Sequence, residues 1–365
     1  MTEPPACVQR VPRACRPMPP EVPALRSAIA ALPLSDSAVQ AACAIDPGPW
    51  PVPTDVVLRW GGDASPFRWR SQATWLLAPG RGAMLASVHP EAVGGALGMF
   101  GWLRLHPSLS GAERVALTKA LIHEARAFTR SHGASRLRGP MTFSTWLPYR
   151  VLAEDSPPDE LAFPGEGAEP QALNALYLGA GLRVCDRYVT RAVPEDPAHW
   201  EAALAREALI AARRGDRLQV REVKPGEAEA LLPHIHGWLN ASFARTPYFT
   251  PVGPQELAEH LVARGPTGVV PAQLVAADAR GTPHGVLTGF LHEGGGVLKT
   301  VAVSPAAQGG RAAMALTFGF HRWLHARGTT RAWHAQMREE AISARMSAKH
   351  ARAVRCYVLY GDADD

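Results

Sequence analysis

The most informative stretch of this 365-residue chain reads Val297-Leu-Lys-Thr-Val-Ala-Val-Ser-Pro-Ala-Ala-Gln-Gly-Gly-Arg-Ala-Ala-Met-Ala-Leu316. Its β-branched first part predicts a strand that ends at Val303, and Pro305 prevents the strand from continuing. A loop of small residues then enters a helix. Backbone N–H groups at the start of a helix converge on one point and carry the positive end of the helix dipole. The stretch therefore predicts a site for a phosphate or diphosphate group.

The same stretch resembles the acyl-CoA motif of the GNAT superfamily of N-acetyltransferases and N-acyltransferases. In that motif a strand ends in Val-x-Pro, and the loop Arg/Gln-x-x-Gly-x-Gly/Ala enters a helix. The matching positions are Val303, Pro305, Gln308, Ala313 and Leu316. The resemblance implies acetyl-CoA or another acyl-CoA as co-substrate, bound by Val301, Val303, Gln308, Gly309, Gly310, Arg311, Ala312 and Ala313.

Two departures from the family pattern bear on the chemistry. Arg311 stands where the family usually has glycine, so its side chain either adds positive charge to the phosphate site or blocks it. The segment Met337–Ala351 and the strand after it resemble the last GNAT motif, but Ser347 replaces the tyrosine of that motif. In many of these enzymes that tyrosine protonates the departing thiolate. Tyr357 is the candidate to replace this acid if the geometry permits, with Tyr360 as the alternative.

The segment Leu137-Arg-Gly-Pro-Met-Thr-Phe-Ser-Thr-Trp146 resembles a subgroup of tandem GNAT-like proteins that carry such a segment between their two halves. The resemblance implies an α/β fold with two tandem GNAT-like domains. Each domain would be an α+β arrangement, in which helices flank a mixed, mostly antiparallel sheet. The implied substrate-binding residues are Ser144, Thr145, Trp146 and Lys299. A plain turn at 144–146 and an exposed strand lysine are the alternative interpretations.

Composition divides the chain into three parts. Residues 1–53 are rich in Pro and Arg, which predicts a disordered tail with a short helix near Ala24–Ala31 and an extended linker. Residues 54–215 and 216–365 show the same strand–helix–strand order, which indicates two domains related by duplication. The first of these reads His106-Pro-Ser-Leu-Ser-Gly111 after its central strand, with no glycine-rich loop. We therefore expect the N-terminal domain to shape the substrate cleft and to bind no CoA.

Hydrophobic periodicity and the positions of Gly and Pro locate the main secondary-structure elements. The predicted strands are 74–77, 83–88, 98–105, 182–190, 273–278, 285–291, 297–303 and 330–333. The predicted helices run from 110 or 111 to 133, and over 172–178, 227–243, 255–264 and 312–326. A Pro/Gly-rich insertion is expected at about 156–170.

Charge and cysteine content restrict the partners. The net charge of +5 would suit nucleic acid or an anionic ligand such as CoA, but the arginines are dispersed with no basic run among aromatics, so nucleic acid is disfavoured. The five cysteines form no CxxC pair and lie near no His cluster, which indicates no disulfide framework and no metal site. No run of about 18 apolar residues and no signal peptide occur, so we expect a cytoplasmic protein without a membrane partner.

In the reaction that the resemblance implies, a primary amine of a small molecule attacks the acyl-CoA thioester directly and takes up an acyl group, in the first instance acetyl. Backbone N–H groups near Thr300 to Val303 would polarise the carbonyl. The candidate base is Glu293, with His292 as an alternative, and a solvated turn is the competing interpretation. Three hypotheses stay open: an N-acyltransferase that uses acyl-CoA or an acyl carrier protein, a binding or regulatory protein that has lost the chemistry, and tRNA-dependent aminoacyl transfer.

Overall fold

A computed structural model of the chain describes residues 25–46, 54–67, 71–147, 149–156, 163, 166, 169–214, 218–224, 226–254, 256–257, 270–292, 295–307 and 311–362. The strands are β1 Ala30–Pro33, β2 Gln72–Ala78, β3 Gly82–His89, β4 Leu97–Leu105, β5 Arg136–Gly139, β6 Val151–Leu152, β7 Arg183–Val193, β8 Gln219–Glu222, β9 Val270–Ala277, β10 Pro283–His292, β11 Gly295–Val303, β12 Ala332–Arg338 and β13 Arg352–Gly361. The helices are α1 Asp36–Ile45, α2 Thr54–Gly61, α3 Gly111–Ser131, α4 Leu173–Gly179, α5 Pro197–Arg214, α6 Glu227–Phe243, α7 Arg311–His325 and α8 Ile342–Ser347.

One mixed sheet runs through both halves of the molecule. Its strand order is β1-β2-β3-β4-β5-β13-β7-β12-β11-β10-β9-β8, with β6 beside β13. The last strand of each half lies inside the sheet of the other half, since β13 is between β5 and β7 while β7 is between β13 and β12. The β7–β13 pair is antiparallel over its whole length, apart from two bulges. The two halves are therefore joined by strand exchange at the centre of the sheet.

The C-terminal half buries its sheet between two helices. On α7, Leu316, Phe320 and Leu324 recur at intervals of four and are fully buried with Leu287 of β10. The neighbouring residue Val286 packs with the α6 cluster instead. Because successive strand residues point to opposite faces, α6 and α7 cover opposite faces of the sheet. Each such buried leucine or phenylalanine contributes about 2 kcal/mol of burial free energy.

The N-terminal half repeats part of this plan with α3 against β3 and β4. Leu117, Leu121 and Ala125 of α3 are fully buried at helical spacing. Ser110 caps the helix in a capping box with Glu113, where each side chain bonds the backbone N–H of the other residue. The pattern read from the sequence thus gives the correct helix and the correct start.

The mixed α/β fold with tandem halves is confirmed, and so are most predicted elements. The exception is the N-terminal tail. The short helix predicted near Ala24–Ala31 is present as one turn at residues 25–27, but residues 30–45 form β1 and α1, where the sequence predicted only a disordered tail and linker. Val39, Ala42 and Ile45 of α1 are buried at helical spacing, and Ser35 caps the helix. Helix α5 was not predicted at all. The domain boundary at 215/216 stays a prediction, and most of the predicted helix 255–264 lies outside the described residues.

Candidate functional site

Two neighbouring strands of the C-terminal half diverge and open a gap, which we call the C-terminal fork. The parallel strands β11 and β12 pair only where Gly296–Leu298 faces Ala332–His334. Beyond that point β11 continues to Val303 and β12 to Arg338, and these described residues do not pair with each other. Residues 298–301 of β11 are half-buried, whereas 295–297 are buried. Among the described residues, one edge of β11 is therefore not paired with β12 beyond Leu298.

Lys299 lies where the strands diverge. The pairing of β10 with β11 skips this residue, which makes it the extra residue of a β-bulge. Its Nζ donates a hydrogen bond to Oε1 of Gln336 on β12 at 3.1 Å and lies 5.3 Å from the centre of the Phe163 ring. Burial, followed by the charge of Arg150, lowers the pKa of Lys299 to about 8. The predicted substrate residue Lys299 thus spans the fork.

Glu166 adds a buried carboxylate to this cluster. Its Oε1 accepts a hydrogen bond from the Tyr357 hydroxyl, and Nε of Arg355 lies 3.6 Å from the same oxygen. Its backbone oxygen accepts from Nε2 of Gln336, the residue that also holds Lys299. Burial raises the pKa of Glu166, and the Tyr357 hydroxyl and the two cations act in the opposite direction. A carboxylate with a raised pKa is a better proton acceptor than an exposed one.

Tyr357, the candidate acid, has its hydroxyl in the same cluster. The hydroxyl lies 3.0 Å from Oγ1 of Thr190 and donates to Glu166. Burial, followed by the charge of Glu166, raises the pKa of Tyr357, so the group keeps its proton at neutral pH. The alternative, Tyr360, donates instead to Oδ1 of Asn174 at 2.7 Å in the N-terminal core. Of the two, only Tyr357 is joined to Glu166.

The edge of β11 that is not paired with β12 carries the backbone amides expected to polarise a carbonyl. The Val303 N–H bonds Oγ of Ser242 on α6 at 3.2 Å, so it points away from β10. Because alternate residues of a strand direct their amides to the same edge, the Val301 N–H points the same way, into the fork. The side chains of both valines are half-buried.

The start of α7 is only partly described. Ala312 is fully buried in its first turn, and Ala313 is half-buried. The predicted cofactor residues Gln308, Gly309 and Gly310 lie outside the described residues, as do the side chain of Arg311 and the predicted base Glu293. His292, the alternative base, ends β10 and is half-buried.

The three predicted substrate residues of the first half bind a loop of the second half. Oγ of Ser144 lies 3.0 Å from Oγ1 of Thr250, and the Thr145 N–H donates to the same oxygen at 2.9 Å. Nε1 of Trp146 donates to the Thr250 carbonyl at 3.0 Å, and its ring packs edge-on against Phe243 of α6. These contacts make the segment a junction between the halves, and contact with a substrate stays a prediction.

The N-terminal half has an equivalent fork, which is filled. β4 and β5 pair only where Leu97–Met99 faces Arg136–Arg138. Farther along β4, the Trp102 N–H donates to Oε1 of Glu169 at 3.1 Å, and the Tyr177 hydroxyl donates to Oε2 at 2.8 Å. Glu169 is 4% exposed, and its burial raises its pKa to about 7. A protein carboxylate thus binds an amide of β4 beyond the paired stretch, whereas the corresponding stretch of β11 is left unpaired by β12.

Solved structures with the same architecture allow the fold to be named. A tandem GNAT protein from the clavulanic acid biosynthesis pathway matches with a TM-score of 0.52 at 13% identity, over 91% of this chain and 98% of that one. The chain has the tandem GNAT fold. A conserved protein of unknown function from Enterococcus faecalis V583, a probable N-acyltransferase, gives 0.52 at 10% identity over 91% and 71% of the two chains. A GCN5-related N-acetyltransferase from Kribbella flavida gives 0.51 at 10% identity over 91% and 70%.

At these identities the likeness concerns the fold alone. No family model matches the sequence, and no curated protein sequence matches it either. Within the described ranges, no helix is long and apolar enough to cross a membrane. Among the residues that the structure describes, no group of three or more His, Cys, Asp or Glu side chains is arranged to hold a metal ion.

Sequence reasoning missed Glu166, Glu169, Thr190 and Gln336. Both glutamates lie in the insertion that was predicted only as a Pro/Gly-rich segment, where no hydrophobic period assigns a face to a side chain. Thr190 and Gln336 meet across the β7–β12 contact, which depends on strand exchange. The available signal was the carboxylates themselves, since an acidic residue in a long Gly-rich insertion of the N-terminal half can reach either half.

Proposed function

We propose that this protein is an N-acyltransferase that moves an acyl group, acetyl in the first instance, from acyl-CoA to a primary amine of a small molecule at the C-terminal fork. One observation carries the proposal: the C-terminal fork combines an amide edge that β12 leaves unpaired with a buried Lys–Glu–Tyr cluster, in a chain with the tandem GNAT fold. The same fork in the N-terminal half is filled by Glu169. The reaction is therefore assigned to the C-terminal half.

The proposed reaction begins when the amine nitrogen forms a bond to the thioester carbonyl carbon. The Val301 N–H donates to the carbonyl oxygen as it gains negative charge. Glu166 accepts the proton from the attacking nitrogen, and its raised pKa favours this step. The ammonium of Lys299 and the guanidinium of Arg355 balance the carboxylate before it takes the proton.

The carbon–sulfur bond then breaks, and the departing thiolate needs a proton. Tyr357 supplies it and recovers a proton from Glu166 through the hydrogen bond that joins the two groups. One proton thus leaves the amine and one reaches CoA, and the cluster returns to its starting state. Glu293 remains a second candidate base on sequence grounds. We place the reaction in the cytoplasm, with no nucleic acid or membrane partner.

The test is release of free CoA thiol from acetyl-CoA and longer acyl-CoAs in the presence of a panel of primary amines. The proposal predicts amine-dependent thiol release by the wild type, a large loss in Glu166→Gln, and near-normal activity in Glu169→Gln, which makes the same change in the other fork. Binding of CoA without thiol release would favour the binding-protein hypothesis. If activity appears only with an acyl carrier protein or with charged tRNA, that molecule is the donor in place of acyl-CoA.

A further inference from the structure

A cavity of about 270 Å³ lies away from the fork residues described above, between α5, α7 and the turn that precedes β13. Apolar side chains form much of its wall, among them Trp200, Ile210 and Phe318. Arg206 and Lys349 also line it, and both are exposed. The cavity thus has an apolar interior with cationic groups on the solvent side.

Glu207 lines this cavity with a carboxylate held at one oxygen. The residue is 7% exposed, and its Oε1 lies 2.7 Å from Nδ1 of His321. Nε2 of His321 lies 3.0 Å from Nε2 of His334, whose Nδ1 lies 2.8 Å from Oγ of Ser347. The two imidazole rings are nearly coplanar, with centres 5.3 Å apart and planes 10° apart. This head-to-head geometry accommodates a proton between the nitrogens and leaves no room for a metal ion.

The direction of the hydrogen bonds follows from the carboxylate. A carboxylate oxygen accepts, so His321 donates to Glu207 through Nδ1. One of the two Nε2 atoms donates to the other, and Nδ1 of His334 shares the last hydrogen bond of the chain with the Ser347 hydroxyl. Burial and the neighbouring histidines lower the pKa of His334 well below its ordinary value, in agreement with a neutral ring. The chain of bonds therefore fixes Glu207 through Oε1 alone.

The second carboxylate oxygen has nothing to bind. Oε2 of Glu207 is buried and has no hydrogen-bond partner among the described residues. The same holds for Nε2 of His199, which also lines the cavity. A buried carboxylate oxygen without a donor costs about 1–3 kcal/mol or more, so the site is incomplete as it stands. A ligand with a charged N–H donor would complete it.

We propose that this cavity binds a free α-amino acid with an apolar side chain. The ammonium group pairs with Oε2 of Glu207, and the apolar side chain packs against Trp200 and Phe318. The carboxylate lies toward Arg206 and Lys349. A zwitterion suits this arrangement better than a simple amine, because the two cations on the solvent side repel a ligand with net positive charge.

The test is calorimetric titration of the full chain with L-leucine, L-leucinamide and N-acetyl-L-leucine, at up to about 10 mM so that complexes with Kd near 1 mM are visible. We expect leucine to bind and leucinamide to bind several-fold more weakly. N-acetyl-leucine has no ammonium group, and its affinity should be at least about tenfold lower than that of leucine. Absence of leucine binding, or equal binding of leucine and N-acetyl-leucine, overturns the proposal. Neither result bears on acyl transfer, which is measured separately by thiol release.

Three variants locate the site. Glu207→Gln keeps an acceptor for His321 but turns an amide N–H toward the ammonium, so leucine affinity should fall at least about tenfold. Glu201→Gln makes the same change at an exposed position of the same helix and should bind like the wild type. Ala203→Leu fills the cavity without altering Glu207 and should also abolish binding, which covers the case in which Glu207→Gln does not fold. Wild-type affinity in Ala203→Leu places any leucine elsewhere and refutes the assignment.

Discussion

The two halves of the molecule share a fork and differ in what occupies it. In both, the parallel strands pair over only three residues before they separate. The N-terminal fork holds Glu169 on the backbone amide of Trp102, and the following helix is capped by its own Ser110 and Glu113. The C-terminal fork holds Lys299 and Gln336, and beyond Leu298 the edge of β11 is not paired with β12. Under the proposed function, the N-terminal half is a scaffold and the C-terminal half carries the reactive site.

A single insertion supplies the carboxylates of both halves. Glu166 bonds the Tyr357 hydroxyl in the C-terminal cluster, and Glu169, three residues later, bonds the Tyr177 hydroxyl in the N-terminal fork. The difference lies in the surroundings. Glu166 has two cations close by, Lys299 and Arg355, whereas Glu169 has one, Arg104, accepts from a backbone amide and is more completely enclosed. The same pair of residue types fills the fork in the N-terminal half, and under the proposed function it transfers protons in the C-terminal half.

The largest expected effect separates these two carboxylates. Glu166→Gln should lower kcat about 1,000-fold, because an amide cannot accept the proton of the attacking amine. Glu169→Gln should stay within about threefold of the wild type, since an amide can still fill the N-terminal fork. Steady-state thiol release measures both variants. Comparable losses in the two would remove the distinction between reactive half and scaffold half.

Glu169 should also contribute to the pH dependence of the unfolding free energy. Its pKa rises from 4.5 to about 7 on folding, so the folded state holds the proton more tightly than the unfolded chain does. The stabilisation is complete below the unfolded pKa and is lost as the pH rises through about 7. As the pH rises from about 4 to about 8, the ionisation of Glu169 should lower the free energy of unfolding by about 3 kcal/mol. Urea unfolding of the wild type and of Glu169→Gln at several pH values checks this prediction. The unfolding free energy of the variant should not fall with pH by this amount, and an equal fall in both proteins would contradict the prediction.

The third comparison concerns the starts of the two helices that follow the forks. Gly309→Asp places a carboxylate in the predicted phosphate loop and should weaken CoA binding at least about tenfold through charge repulsion. Gly111→Asp makes the same change in the N-terminal half, where an added Cβ meets nothing within 4 Å. Its CoA affinity should equal that of the wild type in calorimetry. If both substitutions weakened CoA binding equally, the assignment of the phosphate site to the start of α7 alone would be wrong.

The smallest effect tests the cap of α3. Ser110→Ala removes the hydroxyl that bonds the Glu113 N–H and should lower the unfolding free energy by about 1 kcal/mol. Because this helix start is assigned no ligand, CoA affinity should not change. Chemical unfolding and calorimetry on the same preparation check both statements. A gain or loss of CoA affinity would show that the N-terminal helix takes part in binding.

The local parts of this architecture could be predicted from the sequence, and the non-local parts could not. The strand, loop and helix around Val303 and Leu316 follow from β-branched residues, Pro305 and helical spacing. Exchange of β7 and β13 depends on pairing between residues more than 150 positions apart, for which a single sequence carries no signal. The buried positions of Val39 and Ile45 in α1 follow helical spacing, but the Pro- and Arg-rich composition around them obscured it.

Prediction of the candidate site divides in the same way. Lys299 could be named from the sequence because it lies on the strand that carries the motif, and Tyr357 because it lies in the last strand; the roles of both stay predictions. Glu166 reaches the cluster from an insertion with no periodic pattern, so only the folded chain places it beside Tyr357. The polar groups of Ser144 and Trp146 bind the loop around Thr250, a contact between the halves that no local pattern specifies.

A crystal structure of the protein soaked with acetyl-CoA tests the assignment of function to one fork most directly. We predict diphosphate at the start of α7 and the acyl carbonyl on the Val301 amide, with Glu169 still bonded to Trp102. Acetyl-CoA in the N-terminal fork, with Glu169 displaced from that amide, would contradict the account.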